Sequence, residues 1–277
     1  MLVAVGIGLA IAVLVLLTRS GNPVDAGCYY HFDAADPWSR DGCFLYSPPI
    51  ETLMVAIRGV MPFEVFTFLL RSAELLVLGV VAGPALAFAL FIPAVAIELN
   101  AANINLLIVA AVLIGFRAPW VWAFIALTKV TPGVGMLWFA ARREWRSFLI
   151  ATGATAAIVV ASWLVSPHMW DAYVTSLRGE PDDSIWQIWW RLPLAAIVVV
   201  WGARGNHRWA LMLAVFLAMP RWYFLSPVVL VGLFAVVRLP RPLPVPRLAP
   251  IARRLRLRMP QPAPATSDGR PIRAPSS

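Results

Sequence analysis

Long apolar runs separated by short polar breaks dominate the sequence from residue 2 to residue 237. A transmembrane helix needs about 20 apolar residues and at least about 17, and the first run, residues 2–18, meets that minimum. Because no basic segment precedes this run, we expect an uncleaved first helix and not a removed signal peptide. Further apolar runs cover residues 62–83, 84–98, 105–116, 119–141, 148–165, 192–203, 208–220 and 222–237. The pattern predicts that residues 1–238 form an all-α integral membrane domain, a polytopic helical bundle of about 8–10 transmembrane segments.

The run at 119–141 is interrupted in its middle by the polar and helix-breaking segment 128–133, which contains Lys129 and Pro132. Each half spans only about 15 Å as a helix, so neither half crosses a membrane alone. Either the run is one kinked span with Lys129 near mid-depth, or two short helices meet at a polar break. Irregular backbone at membrane depth is tolerated only where it lines a cavity or is buried in protein. Both arrangements make 128–133 a candidate pocket wall.

Composition excludes an ordinary soluble domain. The chain has 277 residues, of which 60% are hydrophobic and 13% charged, with a mean hydropathy of +0.76, whereas soluble domains are about 45–50% apolar and about 25% charged. Most of the net charge of +9 comes from the C-terminal segment, so it does not indicate nucleic-acid binding. We expect residues 239–277 to form a disordered, Arg- and Pro-rich tail.

The distribution of arginine predicts the orientation. Arg142, Arg143, Arg146, Arg204 and Arg208 cluster in connections between apolar runs, and such connections face the cytoplasm. With 119–141 counted as two helices there are ten segments, and both termini are cytoplasmic. The loops at 20–50, 98–105 and 166–191 then face the outer side of the plasma membrane.

The loop at residues 20–49 carries most of the candidate chemistry. It contains Asp25, Asp33, Asp36 and Asp41 and both cysteines, and ionised groups beside a bilayer are costly unless wet, paired or functional. We expect it to hold a catalytic carboxylate at the outer surface, followed by a short interfacial helix at Glu51–Met61. In an oxidising compartment the two cysteines either pair or remain free thiols.

The order of several short motifs resembles the polytopic glycosyltransferases of family 87, over about residues 20–165. The motifs are Asp25 with Tyr29-Tyr30, then Tyr46-Ser47-Pro48-Pro49, Asn103-Ile-Asn105-Leu-Leu, Leu127-Thr-Lys129-Val-Thr131-Pro132, and Arg142-Arg143-Glu144-Trp145-Arg146. A glycine often precedes the Asn-x-Asn patch in that family, where this chain has Ala101-Ala102. These are GT-C-type enzymes that include polyprenyl-phosphate-mannose-dependent alpha-mannosyltransferases, so the resemblance implies a GT-C-like fold.

The resemblance also implies a mechanism. An Asp of the first outer loop deprotonates the acceptor hydroxyl, which attacks the anomeric carbon of a polyprenyl-phosphate sugar with inversion. By motif position Asp25 is the best match, with Asp36 and Asp33 in reserve. A carboxylate within hydrogen-bond reach is a natural base for a sugar hydroxyl, and carboxylates serve comparable roles in glycoside hydrolysis. Any of these Asp residues could instead be a solvated turn residue.

The remaining candidates would bind the donor phosphate or the sugar, and each has an ordinary structural alternative. Lys129 either binds the phosphate or extends its ammonium towards water, and Asn103 and Asn105 either bind sugar hydroxyls or cap a helix. Tyr30, Tyr46 and His168 complete the predicted substrate-binding set. We expect Arg71 and Glu74, one helical turn apart, to neutralise each other. No His, Cys or Asp spacing suits a metal, so we expect neither a metal nor a cofactor besides the lipid-linked donor.

The favoured hypothesis is a membrane glycosyltransferase, with mannose the favoured sugar and a glycan or glycolipid as acceptor. Its expected partners are membrane lipid, donor and acceptor, with no nucleic acid. A transporter or flippase is the first alternative, and a catalytically inactive, shortened relative is the second. A transporter needs polar residues along both halves of a pathway, whereas here the polar residues gather on one side.

Overall fold

The computed structural model describes residues 2–39, 42–178 and 183–238, and all regular structure in these residues is helical. The first seven α-helices are α1 Leu2–Ser20, α2 Val24–Tyr30, α3 Pro48–Val60, α4 Phe63–Ala82, α5 Leu86–Ala89, α6 Pro93–Ala101 and α7 Asn105–Gly115. The next seven are α8 Trp122–Thr128, α9 Leu137–Ala141, α10 Trp145–Val165, α11 Pro167–Arg178, α12 Asp183–Arg204, α13 Trp209–Leu217 and α14 Gly232–Arg238. The predicted tail at 239–277 and Asp41 lie outside the described residues.

Within the described residues, three helical stretches are long and apolar enough to cross a membrane. They are α1, the continuous stretch Phe63–Ala89 formed by α4 and α5, and α10. Helices α6 and α7 provide a fourth span if this pair, bent by 104°, is counted as one. The predicted all-α, polytopic membrane fold is confirmed. Long spans are fewer than the predicted segments because proline and glycine divide several apolar runs into shorter helices.

Burial separates the helices that face lipid from the helix at the centre. Only 6% of the apolar stretch of α1, and 6% of that of α10, is buried against protein. Helix α7 is the opposite case, because eight of its 11 residues are buried. A helix that is apolar on every side belongs in the interior. Helix α7 therefore forms the centre of the core, and its first residue, Asn105, brings a polar group into that centre.

The break predicted at 128–133 is present, in the form of two short helices. Helix α8 ends at Thr128, and the chain continues through a 3-10 helix, Thr131–Met136, into α9. The fully buried Trp122 holds this region against α7, since a Cβ atom at Gly115 or Gly135 would lie within 2.6 Å of its indole ring. Glycine at these two positions lets the backbones approach the ring closely enough to pack.

Two segments predicted as loops are helical. Residues 24–30 form α2 inside the first polar loop, and the loop predicted at 166–191 is mostly α11 and the start of α12. Pro167 occupies the first position of α11, where proline is favoured. Trp170 and Tyr173 lie three residues apart, and Tyr173 is buried with its ring 5.5 Å from that of Trp38. This contact packs α11 against the first polar loop, and the local polarity of the sequence does not reveal it.

A disulfide closes the first polar loop. Cys28, on α2, is bonded to Cys43, 15 residues later. The indole N–H of Trp38 donates to the carbonyl oxygen of Tyr46 at 2.9 Å, inside the same loop. Closing a loop of this length stabilises it by about 3 kcal/mol in the chain-entropy account. The crosslink keeps α2, and with it Asp25, attached to the segment that leads into α3.

Candidate active site

The corner between α6 and α7 contacts the first polar loop at Asp25. Ala102 ends α6 in the left-handed conformation, with φ 52° and ψ 60°, and this turn directs the next residue away from both helices. The side-chain amide of Asn103 donates from Nδ2 to Oδ2 of Asp25 at 2.6 Å. Its oxygen Oδ1 accepts the backbone N–H of Ile104 at 2.7 Å. Asn103 is therefore oriented by the backbone N–H of Ile104, and it holds one carboxylate oxygen of Asp25.

Arg71 fixes the relative position of α1 and α6. Its buried guanidinium donates to the carbonyl oxygens of Leu17 at 2.7 Å, Leu99 at 3.0 Å and Asn100 at 2.7 Å. These carbonyls belong to the last turns of the two helices, where a cation is favourable. The carbonyl of Leu17 also accepts the backbone N–H of Gly21 at 2.9 Å. A Cβ atom at Gly21 would lie 2.7 Å from the guanidinium. Glycine is therefore required where the chain turns from α1 towards Asp25.

The ion pair predicted between Arg71 and Glu74 is not formed. Arg71 uses its donors on backbone carbonyls, and neither carboxylate oxygen of the fully buried Glu74 accepts a hydrogen bond. The two side chains lie one turn apart on α4, but the backbone carbonyls at the ends of α1 and α6 offer the planar guanidinium a better geometric match.

A second group of polar side chains lies behind the corner. Glu98, on α6 and fully buried, accepts the amide N–H of Asn105 at 3.0 Å and the backbone N–H of Leu106 at 3.2 Å. The oxygen Oδ1 of Asn105 accepts Nζ of Lys129 at 2.6 Å. Residues from α6, α7 and the break after α8 therefore form one continuous hydrogen-bonded chain.

Two hydrogen bonds position the break that carries Lys129. The hydroxyl of Ser47 donates to the carbonyl oxygen of Leu127 at 2.6 Å, which attaches the end of the first polar loop to the end of α8. The hydroxyl of Thr131 donates to the carbonyl oxygen of Ala218, just after α13. Lys129 is thus held between the loop and the C-terminal helices, on irregular backbone of the kind that lines a cavity at membrane depth.

Tyr29 and Tyr46 form an aromatic wall beside Asp25. Both rings are buried, and their centroids are 5.1 Å apart in an edge-to-face arrangement. Burial raises the pKa of both phenols above the ordinary value, and the charges of Asp25 and Glu98 act in the same direction. Both phenols therefore stay neutral over the physiological pH range. They supply apolar contact and neutral hydroxyl groups.

Asp25 and Lys129 present opposite charges to the same region. Both side chains are partly exposed, and the charge of Asp25 acts on Lys129, yet no ion pair within 4.0 Å joins them. An ammonium group has three donors, and one of those of Lys129 is used on Asn105. The site therefore offers a carboxylate oxygen to a proton donor and ammonium N–H groups to an anion.

Comparison with known proteins decides the class. The family model for glycosyltransferase family 87 matches residues 44–255, more than half of the chain. The chain belongs to glycosyltransferase family 87. No curated protein and no solved structure matches it. It is a transferase of the EC 2.4 class, and its apolar helices agree with an integral membrane protein. GT-C-type enzymes of this kind use lipid-linked sugar donors.

The match differs in extent from the resemblance seen in the sequence. It reaches residue 255, beyond the 20–165 expected, and it begins at Phe44. Asn103, Asn105 and Lys129 of this family 87 glycosyltransferase therefore lie inside the matched region, and Asp25 lies outside it. The connection between Asp25 and the family motifs is structural, through the 2.6 Å hydrogen bond from Asn103.

The structure brings some of the predicted site residues together and places Asp33, Asp36, Tyr30 and His168 elsewhere. Asp33 and Asp36 are exposed, and Oδ1 of Asp33 accepts the backbone N–H of Ala35 at 2.9 Å, as a turn residue does. Tyr30 donates its hydroxyl to the carbonyl oxygen of Met61 at 2.5 Å, and this bond ties α2 to the end of α3. His168 lies exposed in the first turn of α11. Among the described residues, no group of three or more His, Cys, Asp or Glu side chains suits a metal ion.

Glu98 is the site residue that sequence reasoning missed in this glycosyltransferase. It ends the apolar run that begins at residue 84, a position that suggests a boundary residue of a span. The sequence does carry one signal for Glu98, an acidic residue in an otherwise apolar segment. An ionisable residue within a membrane segment is a functional-site hypothesis by default. Its partner Asn105, seven residues later, belongs to the predicted set, but the sharp corner that brings the two together leaves no mark in the local pattern.

Proposed function

We propose that this family 87 enzyme transfers a sugar, with mannose favoured, from a polyprenyl-phosphate donor to a glycan or glycolipid acceptor at the outer face of the plasma membrane. The observation that supports this most strongly is that Asp25 and Lys129 are each held by an asparagine of the α6–α7 corner. A transferase acting on a lipid-linked phosphate needs a base and an anion-binding cation in one site, within reach of the bilayer.

In the proposed reaction Asp25 is the general base. Its carboxylate takes the proton of the acceptor hydroxyl as the acceptor oxygen bonds to the anomeric carbon of the donor sugar. The bond from that carbon to the phosphate oxygen breaks, the electron pair leaves with the phosphate, and the configuration inverts. Asn103 restricts Asp25 to one orientation by holding Oδ2, which directs Oδ1 to the acceptor. A positioned base of this kind contributes about 10²–10⁴-fold to rate.

Lys129 has the complementary role on the donor. Its ammonium group binds the phosphate and stabilises the negative charge that the leaving phosphate acquires, as a preorganised cation does. The neutral Tyr29 and Tyr46 line the sugar side. The positive-inside distribution of arginine supports the outer face as the location of the site.

The proposal is tested by transfer from a radiolabelled polyprenyl-phosphate sugar in proteoliposomes. Asp25→Asn is expected to abolish transfer while the purified protein keeps its unfolding temperature. Asp33→Asn and Asp36→Asn are matched controls, because both side chains are exposed in the same loop, and both are expected to transfer at nearly the wild-type rate. Normal turnover by Asp25→Asn would exclude Asp25 as the base, and solute uptake without transfer would favour a transporter.

A further inference from the structure

The hydrogen-bonded chain Glu98–Asn105–Lys129 has a fixed direction. An ammonium group only donates hydrogen bonds, whereas an ionised carboxylate only accepts them. Asn105 lies between them, with Nδ2 donating to Glu98 at 3.0 Å and Oδ1 accepting from Lys129 at 2.6 Å. Rotating this amide by 180° would place NH₂ against the ammonium and oxygen against the carboxylate. Both contacts would then be repulsive, so the two charged neighbours permit a single orientation.

We propose that Glu98 is a positioning residue for the donor phosphate, which fixes the amide of Asn105 so that its oxygen orients the ammonium of Lys129. This inference rests on the proposed role of Lys129. Glu98 is fully buried and Lys129 is partly exposed, so the carboxylate acts from behind the site and does not contact the substrate. Its effect reaches the donor through Asn105 and the ammonium.

A purely structural role for Glu98 is the competing explanation. Its Oε1 accepts the N–H of Leu106 at 3.2 Å, in the first turn of α7. That contact caps the helix, and a negative charge at a helix N-terminus is favourable in its own right. A test must therefore keep the hydrogen bond to Leu106 while it changes the donor–acceptor direction along Glu98–Asn105–Lys129.

Two isosteric substitutions separate these explanations. In Glu98→Gln the amide oxygen still accepts from Leu106, but its NH₂ group faces the NH₂ group of Asn105, so Asn105 no longer has a single orientation. In Asn105→Asp an acceptor remains for Lys129, but two carboxylates then face each other. The double variant Glu98→Gln/Asn105→Asp restores every bond, because the introduced glutamine amide donates to the introduced carboxylate, and that carboxylate accepts from Lys129. The total charge of the double variant equals that of the wild type.

Donor KM, acceptor KM and kcat would be measured for the wild type and all three variants. Each single variant is expected to raise the donor KM about tenfold, the effect of losing one charge-assisted hydrogen bond, with the acceptor KM unchanged. The double variant is expected to recover a donor KM within about threefold of the wild type, on the same scale. Glu51→Gln is the matched control on α3, where burial raises the pKa of the carboxyl group and favours the neutral form that glutamine resembles.

Several outcomes would overturn the proposal. One is an unchanged donor KM in Glu98→Gln, and another is a double variant as impaired as the worse single variant although its unfolding temperature is that of the wild type. A third is loss of stability in both Glu98→Gln and the double variant, because the cap on α7 would then explain the defect. If the proposed function itself were wrong, the wild-type protein would transfer no sugar. The unfolding temperatures would then still show whether the double substitution restores the hydrogen bonds that each single substitution breaks.

Discussion

The three hydrogen bonds of Arg71 predict a large loss of stability when the guanidinium is removed. Arg71→Met keeps an unbranched apolar stem of similar volume but leaves the carbonyls of Leu99 and Asn100 without their donor. The carbonyl of Leu17 keeps the backbone N–H of Gly21 at 2.9 Å. Each unsatisfied buried acceptor costs about 1–3 kcal/mol. The bond to Asn100 is only partly buried, so water satisfies that carbonyl in part, and the total for the two acceptors falls in the lower half of the range, at about 2–4 kcal/mol.

The free energy of unfolding would be measured for detergent-solubilised protein by denaturant titration, followed by tryptophan fluorescence. Arg71→Lys separates charge from geometry, because one ammonium group cannot reach three carbonyls in the plane that a guanidinium spans. We expect it to lose at least about half as much stability as Arg71→Met. Arg19→Met is the matched control, an exposed arginine in the last turn of α1, with an expected change within about 0.5 kcal/mol. A loss below about 1 kcal/mol in Arg71→Met would refute the reasoning.

Three further predictions follow from the same region. Gly21→Ala is expected to lower the unfolding temperature and the transfer rate together, because its Cβ atom would collide with the guanidinium 2.7 Å away; an unchanged rate would contradict this. Reductant is expected to destabilise the wild type by about 3 kcal/mol and to leave Cys28→Ser/Cys43→Ser unaffected, as measured by denaturant titration with and without dithiothreitol. Ala102→Gly is expected to be about 1 kcal/mol more stable than Ala101→Gly, because only the former relieves a left-handed backbone; equal stabilities would refute this.

The general architecture could be predicted from the sequence because it depends on local composition. Apolar runs of sufficient length identified α1 and α10, and the Lys129–Pro132 break was recognisable from its polar and helix-breaking residues. The amphipathic spacing after the first loop predicted a surface helix at Glu51–Met61, and the structure has it as α3, Pro48–Val60. Each of these features needs only the residues of a single segment.

The arrangement of the site depended on contacts between distant segments, which local patterns do not specify. Asp25 and Asn103 are 78 residues apart, and Ser47 and Leu127 are 80 residues apart. The sequence singled out Asp25 and Asn103 separately. The pairing required the 104° corner, which turns on a left-handed alanine at position 102 where glycine would have been the recognisable signal.

The Arg71 contacts show a related limit. The spacing on one helix favoured Glu74 as the partner of Arg71, because without a known fold only side chains on the same helix can be predicted to be neighbours. The preferred acceptors belong to two other helices and are backbone atoms, which carry no residue-specific signature. The buried Glu98 was overlooked for a similar reason, since its importance follows from the neighbours that the corner supplies.

The bond between Cys28 and Cys43 links maturation of the enzyme to its cellular compartment. Sulfur–sulfur crosslinks persist where thiols are oxidised and are rare in the reducing cytosol. In the proposed orientation, with this loop on the outer side of the membrane, a newly made chain forms the bond only after the loop has crossed the bilayer. A molecule inserted in the opposite orientation would retain two thiols and an untethered α2, so oxidation would couple insertion in the proposed orientation to the positioning of Asp25, the proposed base.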